Sequence, residues 1–249
     1  MAADADAEIW GVMAASGGGK GLWIKEQLRQ RNPRRMIVWD FMNEYQEFTG
    51  ERVAKGKVEG APAKATLREI RDLMKAAGKD GPLRVRYSPK ATTEKGVRAE
   101  FELLCDLVYA WGNCTFIAEE LSNVTMPSWA PPSWRKMCTS GRHKRVHIIG
   151  TSQMPSLIDK AFLGNCTLIH CGPLRQYDHR AAVAKGMDIE EGRLAKLVNL
   201  QFIEKDFIRG AVTTDWVAIP GKAKGGPRVV VPTEPSPTRR GSKAPSKVA

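Results

Sequence analysis

Residues 14–21 read Ala-Ala-Ser-Gly-Gly-Gly-Lys-Gly, and this short stretch decides how the rest of the chain is interpreted. It follows the apolar run Glu8–Met13 and precedes a helical pattern that begins at Leu22. Consecutive glycines let the backbone aim successive N–H groups at one point, and the start of a helix adds a partial positive charge. Lys20 adds a full positive charge at the same place. The stretch therefore predicts a polyphosphate-binding loop at a strand-to-helix junction.

The stretch resembles the Walker A pattern G-x-x-x-x-G-K-[ST] and departs from it at two positions. Ala14 stands where the first glycine belongs, and Gly21 replaces the hydroxyl residue that normally helps to hold Mg²⁺. The metal would then depend on water and acidic residues, or on Ser16. A glycine-rich turn with an incidental lysine is the alternative interpretation. The residues predicted to contact the nucleotide are Ala15, Ser16, Gly17, Gly18, Gly19, Lys20 and Gly21, together with Asp40 from further along the chain.

Strand-like and helix-like patterns alternate along the chain, which predicts an α/β fold with a mostly parallel central sheet flanked by helices. Strands are predicted at Glu8–Met13, Arg35–Trp39, Leu83–Tyr87, Cys114–Ala118, Val146–Thr151, Thr167–His170, Leu200–Ile203 and Val212–Ala218. Helices are predicted from Leu22 and at Thr66–Ala77, Val97–Trp111, Ser133–Ser140, Leu157–Leu163, Tyr177–Lys185 and Glu190–Val198.

Polar side chains stand where three of these strands end. Glu119 and Glu120 follow one strand, Gln153 follows another, and Asp40 closes the second strand of the chain. Ligands of open α/β sheets bind at the carboxyl ends of the strands, so these groups are expected to converge there. In an acidic pair of this kind the first carboxylate contacts hydrated Mg²⁺ and the second polarises the attacking water, while a glutamine can sense the γ-phosphate.

Composition narrows the class of protein. The chain has 249 residues, 42% of them hydrophobic, and a formal net charge of +12, which suits a globular protein with anionic partners. It contains no apolar run of about 18 residues and no basic, apolar leader, so we expect a soluble, intracellular protein without a membrane span. Its 5 cysteines form no CxxC pair, which disfavours a Cys/His metal site.

Positive charge is concentrated in residues 220–249, a Pro/Gly/Ser-rich segment with seven basic residues and one acidic residue. We predict an ATPase domain over residues 1–219 and a flexible basic tail over 220–249. A tail that binds a polyanion and a solvated terminus without a partner are both open.

The order of these motifs resembles the FtsK–HerA branch of P-loop ATPases, which pump DNA. The matching segments are ASGGGKG at 15–21, WDFMNEY at 39–45, FIAEE at 116–120, GRHKRVHIIGTSQMPS at 141–156 and GNCTLIH at 164–170. The match runs in order over about residues 7–175, and the strand that ends in Thr-Ser-Gln followed by Pro155 is its most specific part. Within the branch, the compact chain looks most like viral genome-packaging ATPases of the tectivirus type.

This resemblance implies a RecA-like core, a homo-oligomeric ring that is often a hexamer, ATP with Mg²⁺, and double-stranded DNA threaded through the centre. It implies a motor that packages a viral genome into a procapsid, with a capsid or portal vertex protein as a further partner. The motor would lie in the host cytoplasm or at a virion vertex.

Carried over position by position, Lys20 binds phosphate, Glu119 serves the metal, Glu120 activates water and Gln153 senses the γ-phosphate. Arg142 precedes the glutamine strand, where the family often has a functional arginine that reaches the ATP of a neighbouring subunit. Arg175 and Arg180 are the rival candidates for that arginine.

Basic and aromatic segments outside these motifs suggest contacts with DNA and with partners. The loop 49–64, with Arg52, Lys55, Lys57 and Lys64, and the run Arg142–Arg145 are candidate phosphate contacts. The segment Met126–Trp134 is a candidate inter-subunit or capsid-facing surface, although we expect Trp129 and Trp134 to pack on the core of their own chain.

Two other functions remain open. The first is a nucleotide-binding regulatory or structural protein with little hydrolysis, which the missing hydroxyl at Gly21 favours. The second is a P-loop kinase, which shares the loop and the parallel sheet but needs an arginine-rich lid and an acceptor pocket. Neither the Trp-containing insertion nor the basic tail fits a kinase.

Overall fold

The computed structural model describes residues 7–49, 66–219 and 228–232. Over these residues nine strands form one sheet, in the order β3-β2-β4-β5-β1-β6-β7-β8-β9. The strands are β1 Ile9–Met13, β2 Arg35–Trp39, β3 Leu83–Tyr87, β4 Cys114–Ala118, β5 Val146–Ser152, β6 Leu168–Cys171, β7 Gln201–Asp206, β8 Ala211–Trp216 and β9 Val229–Pro232.

The strands from β3 to β6 in this order run parallel, and β7, β8 and β9 are added antiparallel at one side. Every residue of β2, β3 and β5 is buried, as expected for parallel strands covered on both faces. The predicted α/β fold with a mostly parallel sheet is confirmed. Strand β1 lies in the middle, so the loop that follows it opens at the centre of the carboxyl edge.

Within the described residues seven helices flank the sheet. They are α1 Lys20–Arg31, α2 Leu67–Ala77, α3 Glu94–Trp111, α4 Pro132–Ser140, α5 Lys160–Asn165, α6 Tyr177–Met187 and α7 Glu191–Ala195. Short 3₁₀ turns occupy Leu121–Asn123, Gly141–Lys144 and Pro155–Leu157. None of the helices in these residues has the length and apolarity that crossing a bilayer requires.

Local sequence sets the ends of several helices. Thr66 caps α2 by accepting a hydrogen bond from the backbone of Glu69, whose carboxylate accepts one from the backbone of Thr66. The single helix predicted at Leu157–Leu163 is wrong, because a 3₁₀ turn ends at Leu157 and Asp159 caps a new helix through the backbone N–H of Ala161.

Two hydrophobic clusters cover the two faces of the sheet. Helix α1 packs Trp23, Ile24 and Leu28 into the smaller cluster, and the other helices pack against the larger one. Trp134 is fully buried in the larger cluster among aromatic rings, which confirms its predicted packing on the core. Trp129 instead keeps 39% of its surface exposed, so the prediction that it is a core residue is wrong.

The predicted flexible tail contains a strand. Residues 228–232 are the described part of the segment 220–249, and β9 pairs with β8 from Thr214 opposite Val229 to Ala211 opposite Pro232. The prediction of a flexible chain is therefore wrong for these residues. Three successive valines favour an extended backbone, and the open edge of β8 supplies the hydrogen-bonding partner. The domain boundary after residue 219 stays a prediction.

Candidate nucleotide site

The glycine-rich loop has the backbone of an anion-binding turn. Gly17 and Gly19 have φ angles of +76° and +95°, a conformation that glycine adopts without steric cost. The loop is held by two hydrogen bonds, from the N–H of Ala15 to the carbonyl of Pro173 (2.8 Å) and from the N–H of Gly18 to the carbonyl of Ala15 (3.0 Å). Gly17 itself faces open space.

The start of α1 has no protein cap. Gly19 precedes the helix, no side chain in the described parts of the chain caps it by a hydrogen bond, and its first turn contains no acidic residue. The first N–H groups of a helix have no partner within the helix, so they remain free to bind an anion. With Lys20 as the first helical residue, the loop suits the phosphates of a nucleotide.

The order of the strands brings the predicted catalytic residues to this loop. Strand β5 lies beside β1 and β4 lies beside β5, so the residues that follow these strands share one edge. The ammonium group of Lys20 lies 2.8 Å from Oε1 of Glu120. Gln153 donates to both oxygens of the same carboxylate, from its side-chain amide to Oε1 (3.1 Å) and from its backbone N–H to Oε2 (3.2 Å).

Thr151 is a member of this group that the sequence reasoning missed. Its hydroxyl accepts a hydrogen bond from the backbone N–H of Glu120 (3.2 Å) and lies 3.4 Å from the ammonium group of Lys20. Glu120 has a φ of +47°, which is uncommon for a residue with a side chain. A strained backbone of this kind costs on the order of 1 kcal/mol and persists where surrounding contacts hold it. Thr151 supplies one of those contacts.

Glu119 lies beside this group and is only 3% exposed. Burial raises its pKa to about 7, against the lowering effects of the Met42 N–H and of Lys20, while the negative charges of Asp40 and Glu44 raise it further. Its Oε2 accepts the Met42 N–H at 3.2 Å. Removing this carboxylate from water without a full counter-charge disfavours its ionised form. A cation beside it would favour ionisation.

Asp40 follows β2 as predicted, but its side chain makes contacts inside the protein. Its side chain is fully buried, pairs with Arg86 at 3.2 Å, and accepts the backbone N–H groups of Glu44 (2.7 Å) and Tyr45 (3.4 Å). Both oxygens are thus used inside the protein. The predicted direct contact between Asp40 and a cofactor is corrected accordingly: Asp40 fixes the turn that follows β2.

Arg142 does not join the site within one chain. It is exposed in the 3₁₀ turn Gly141–Lys144, which precedes strand β5. Gln153 follows the last residue of the same strand, at its other end. A strand of 7 residues at about 3.3 Å each separates the two by roughly 20 Å. A role for Arg142 at a phosphate therefore requires a neighbouring subunit.

Arg175 and Arg180, the rival candidates for the functional arginine, differ in the contacts of their side chains. Arg180 donates to the carbonyls of Leu174 and Arg175 and pairs with Glu191, so its guanidinium is committed to local structure. Arg175 is exposed in the loop after β6, at the same edge of the sheet as the glycine loop.

The candidate DNA contacts are only partly described. Thr49 is buried, and residues 50–64 lie outside the described residues. The residues of the run Arg142–Arg145 are all exposed.

The residues present fit a nucleotide better than a free metal ion. No group of three Cys, His, Asp or Glu residues that would hold a metal occurs in the described parts of the chain. Mg²⁺ is commonly held by one or two carboxylates together with substrate phosphates and water, and the carboxylate of Glu119 is a donor of this kind. Ser16 is exposed, and Gly21 leaves room that the side chain of Glu44 approaches.

A separate pocket of ≈ 730 Å³ lies away from this loop. It is formed between α1 and the antiparallel strands, with Trp10, Trp23 and Phe202 in its wall, and none of the residues 15–21 lines it.

Comparison with known proteins was made by sequence and by structure. No family model matches the chain. Over 193 residues the sequence is 25% identical to Protein P9 of Pseudoalteromonas phage PM2, covering 76% of this chain and 79% of that protein.

The solved structures are more distant in sequence. The genome packaging NTPase B204 from Sulfolobus turreted icosahedral virus 2, in complex with AMPPCP, superposes with a TM-score of 0.60 at 15% identity, covering 84% of this chain and 97% of that one. VirB4 of Thermoanaerobacter pseudethanolicus superposes with a TM-score of 0.52 at 13% identity, covering 92% and 90%. The chain shares its fold with these proteins, and the resemblance that the sequence motifs indicate is confirmed.

Proposed function

We propose that this protein is an ATPase that drives double-stranded DNA into a viral procapsid. The observation that carries the proposal is the hydrogen-bonded group of Lys20, Glu120 and Gln153 beside an uncapped helix start. The similarity to Protein P9, a phage protein, and to B204, a genome packaging NTPase, supports it. Such a motor belongs in the host cytoplasm or at a virion vertex, with a capsid or portal protein as its partner.

The loop and Lys20 bind and orient the phosphates. The N–H groups of Ser16, Gly17 and Gly19 and of the first turn of α1 donate to phosphate oxygens, and the ammonium group of Lys20 neutralises charge on the terminal phosphates. Mg²⁺, when bound, neutralises further charge and polarises the phosphate that is transferred. Glu119 is the protein carboxylate best placed to hold that metal.

Glu120 and Gln153 act on the attacking water. Glu120 is the general base, and Gln153 orients the water while reporting the presence of the terminal phosphate. In the described conformation Lys20 occupies Oε1 of Glu120 at 2.8 Å. Because a phosphate competes for the same ammonium group, nucleotide binding releases this oxygen from Lys20 and leaves it with the amide of Gln153. The carboxylate thus becomes available as a base only when its substrate is present.

We also propose that Arg142 completes the site of a neighbouring subunit in a ring, which is expected to be a hexamer. Arg142 is exposed and lies at the opposite edge of the sheet from its own glycine loop. A head-to-tail ring places unlike surfaces against each other, so this edge can face the loop of the next subunit. There the guanidinium would stabilise the charge that develops on the phosphate. The rest of the exposed run Arg142–Arg145 would contact DNA phosphates without reading sequence.

ATP turnover measured with double- and single-stranded DNA, with assembly state recorded in the same samples, tests the motor. Glu120→Gln should lower turnover at least about 100-fold while ATP binding is retained, because it removes the base and leaves the loop intact. Lys20→Ala should lower both ATP turnover and ATP binding. The exposed Glu190→Gln is the matched control and should leave turnover unchanged. Full activity of Glu120→Gln would refute the assignment.

Mixing two inactive variants tests the shared site. Arg142→Ala keeps its own loop, and Lys20→Ala keeps its arginine, so roughly a quarter of the interfaces in a randomly mixed ring would be intact. Mixed rings should therefore regain activity, whereas each variant alone should remain inactive. Lys185→Ala, at an exposed lysine outside the run Arg142–Arg145, is the control and should be active by itself. Mixed rings without activity would remove Arg142 from the shared site.

A nucleotide-binding regulator with little hydrolysis is the second candidate. Gly21, which lacks the usual hydroxyl, is the observation that favours it. The regulator predicts tight ATP binding, with turnover that stays low in the presence of either form of DNA.

A further inference from the structure

Glu44 approaches the space in which the missing hydroxyl of the loop would stand. Gly21 is the second residue of α1 and directly follows Lys20. A Cβ atom built on Gly21 would lie 3.3 Å from Oε2 of Glu44, the one heavy atom of the described residues within 4 Å of it apart from its chain neighbours and its own helix backbone. A serine or threonine at this position would thus direct its side chain at the carboxylate. The structure places a carboxylate where the sequence motif normally places a hydroxyl.

The turn that carries Glu44 is held from inside the protein. Asp40 accepts the backbone N–H of Glu44 at 2.7 Å, and Arg86 holds Asp40 by a buried ion pair and donates to the side chain of Asn43. The main chain of Glu44 is therefore fixed, while its side chain is exposed. Among the described residues its carboxylate forms no ion pair. It is free to take a ligand from the loop side.

Tyr45 links the two carboxylates electrostatically. Burial raises the pKa of its hydroxyl well above the usual range, and the charges of Glu119, Asp40 and Glu44, together with a side-chain interaction with Glu119, raise it further. Glu44 and Glu119 are therefore both close enough to act on one buried side chain.

We propose that Glu44 replaces the hydroxyl missing at Gly21 and, together with Glu119, holds the Mg²⁺ that accompanies the nucleotide phosphates. Carboxylate oxygens are preferred ligands of Mg²⁺, which keeps several waters when phosphates complete its shell. The inference rests on the proposed function, since the metal enters with the nucleotide. It accounts for how an ATPase can operate with glycine after the loop lysine.

The exchange of a neutral hydroxyl for a carboxylate has a consequence for binding. The added negative charge repels phosphate when the metal is absent and attracts the cation when it is present. Nucleotide binding should therefore depend more steeply on the metal than it would with a hydroxyl at position 21. Removing the charge should weaken metal binding and leave metal-free nucleotide binding unchanged or stronger.

Binding measurements on the full chain test this without relying on turnover. Mn²⁺ replaces Mg²⁺, and its electron paramagnetic resonance signal gives the Kd of the metal in the presence of a non-hydrolysable ATP analogue. Binding of the analogue without metal is measured separately in EDTA. Glu44→Ala should raise the Kd of Mn²⁺ at least about 10-fold, with no weaker analogue binding in EDTA. Glu44→Gln, which keeps the side-chain shape, should behave alike. Glu47→Ala, a glutamate of the same segment, is the control and should match the wild type.

A second substitution completes the test. Gly21→Thr in the Glu44→Ala background restores a hydroxyl to the loop and should recover part of the Mn²⁺ affinity. In the wild-type background the same threonine meets Glu44 and should weaken binding. Wild-type affinity for Mn²⁺ in both Glu44 variants would overturn the inference while leaving the ATPase proposal standing. A wild-type chain that binds no analogue, with or without metal, would overturn the proposed function itself.

Discussion

Replacing Glu119 with glutamine should stabilise the nucleotide-free protein, and more so at alkaline than at acidic pH. The carboxyl group is 3% exposed, and burial raises its pKa from 4.5 to about 7. A shift of this size corresponds to about 3 kcal/mol of unfolding free energy. Glutamine has nearly the same shape, can still accept the Met42 N–H, and does not ionise.

The direction follows from proton binding. Below pH 4.5 both folded and unfolded chains keep the proton on Glu119, so its burial has no ionisation cost. Between pH 4.5 and about 7 the unfolded chain has released the proton while the folded chain retains it, so the free energy of unfolding falls as the pH rises. Above about pH 7 the loss is complete. Wild type should therefore lose stability over this range relative to Glu119→Gln.

Urea unfolding followed by circular dichroism, in EDTA and without nucleotide, measures this difference at pH 5 and pH 8. The stability advantage of Glu119→Gln should grow by about 2 to 3 kcal/mol between the two pH values. His147, whose pKa burial lowers to about 3, is present in both proteins and cancels from the comparison. The exposed Glu190→Gln should show no such growth. An equal advantage at both pH values would refute the assigned burial cost.

Other substitutions test packing and backbone. Trp134→Ala should lower the free energy of unfolding, measured in urea, by about 3–5 kcal/mol because it empties a buried aromatic cluster. Trp129 is partly exposed, so Trp129→Ala should lower the free energy of unfolding by about 1 kcal/mol or less. Equal losses in the two variants would contradict the packing described for these side chains. Arg86→Leu should lower the free energy of unfolding by about 3–5 kcal/mol because it leaves the buried carboxylate of Asp40 without its ion-pair partner. A loss below about 1 kcal/mol would show that water reaches this pair. Gly19→Ala should lower the free energy of unfolding by about 1–2 kcal/mol and abolish binding of an ATP analogue, because the φ angle of Gly19 is +95°. Normal binding of the analogue, measured by calorimetry, would contradict this loop geometry.

The regular part of the fold could be predicted from local patterns. The predicted bounds of β2, β3 and β4 agree with the structure at both ends. β2 and β4 are mainly apolar runs, whereas β3 alternates apolar residues with arginines, and each strand is followed by a polar residue. The places of Glu120 and Gln153 could be predicted as well, since each lies within two residues of the end of a strand that the pattern locates. Lys20 could be placed because it directly follows the run of glycines that precedes α1.

Strand β9 could not be predicted in the same way. Its valines lie in a Pro/Gly-rich, basic segment, and they form a strand because β8 offers an open edge. That edge is a property of the assembled sheet. A flexible tail and an edge strand have the same local pattern until the partner is known.

The sequence by itself thus determined which residue types follow the strands and that a glycine-rich loop with a lysine opens before α1. Only the tertiary structure decided that Asp40 is buried against Arg86, that Arg142 lies at the far edge, and that Glu44 approaches Gly21. The reason is physical: helix and strand periodicities report neighbours a few residues apart, whereas these contacts depend on strand order and on side chains that are distant in the chain. The pair Lys20 and Glu120, 100 residues apart, exists only once the sheet has formed.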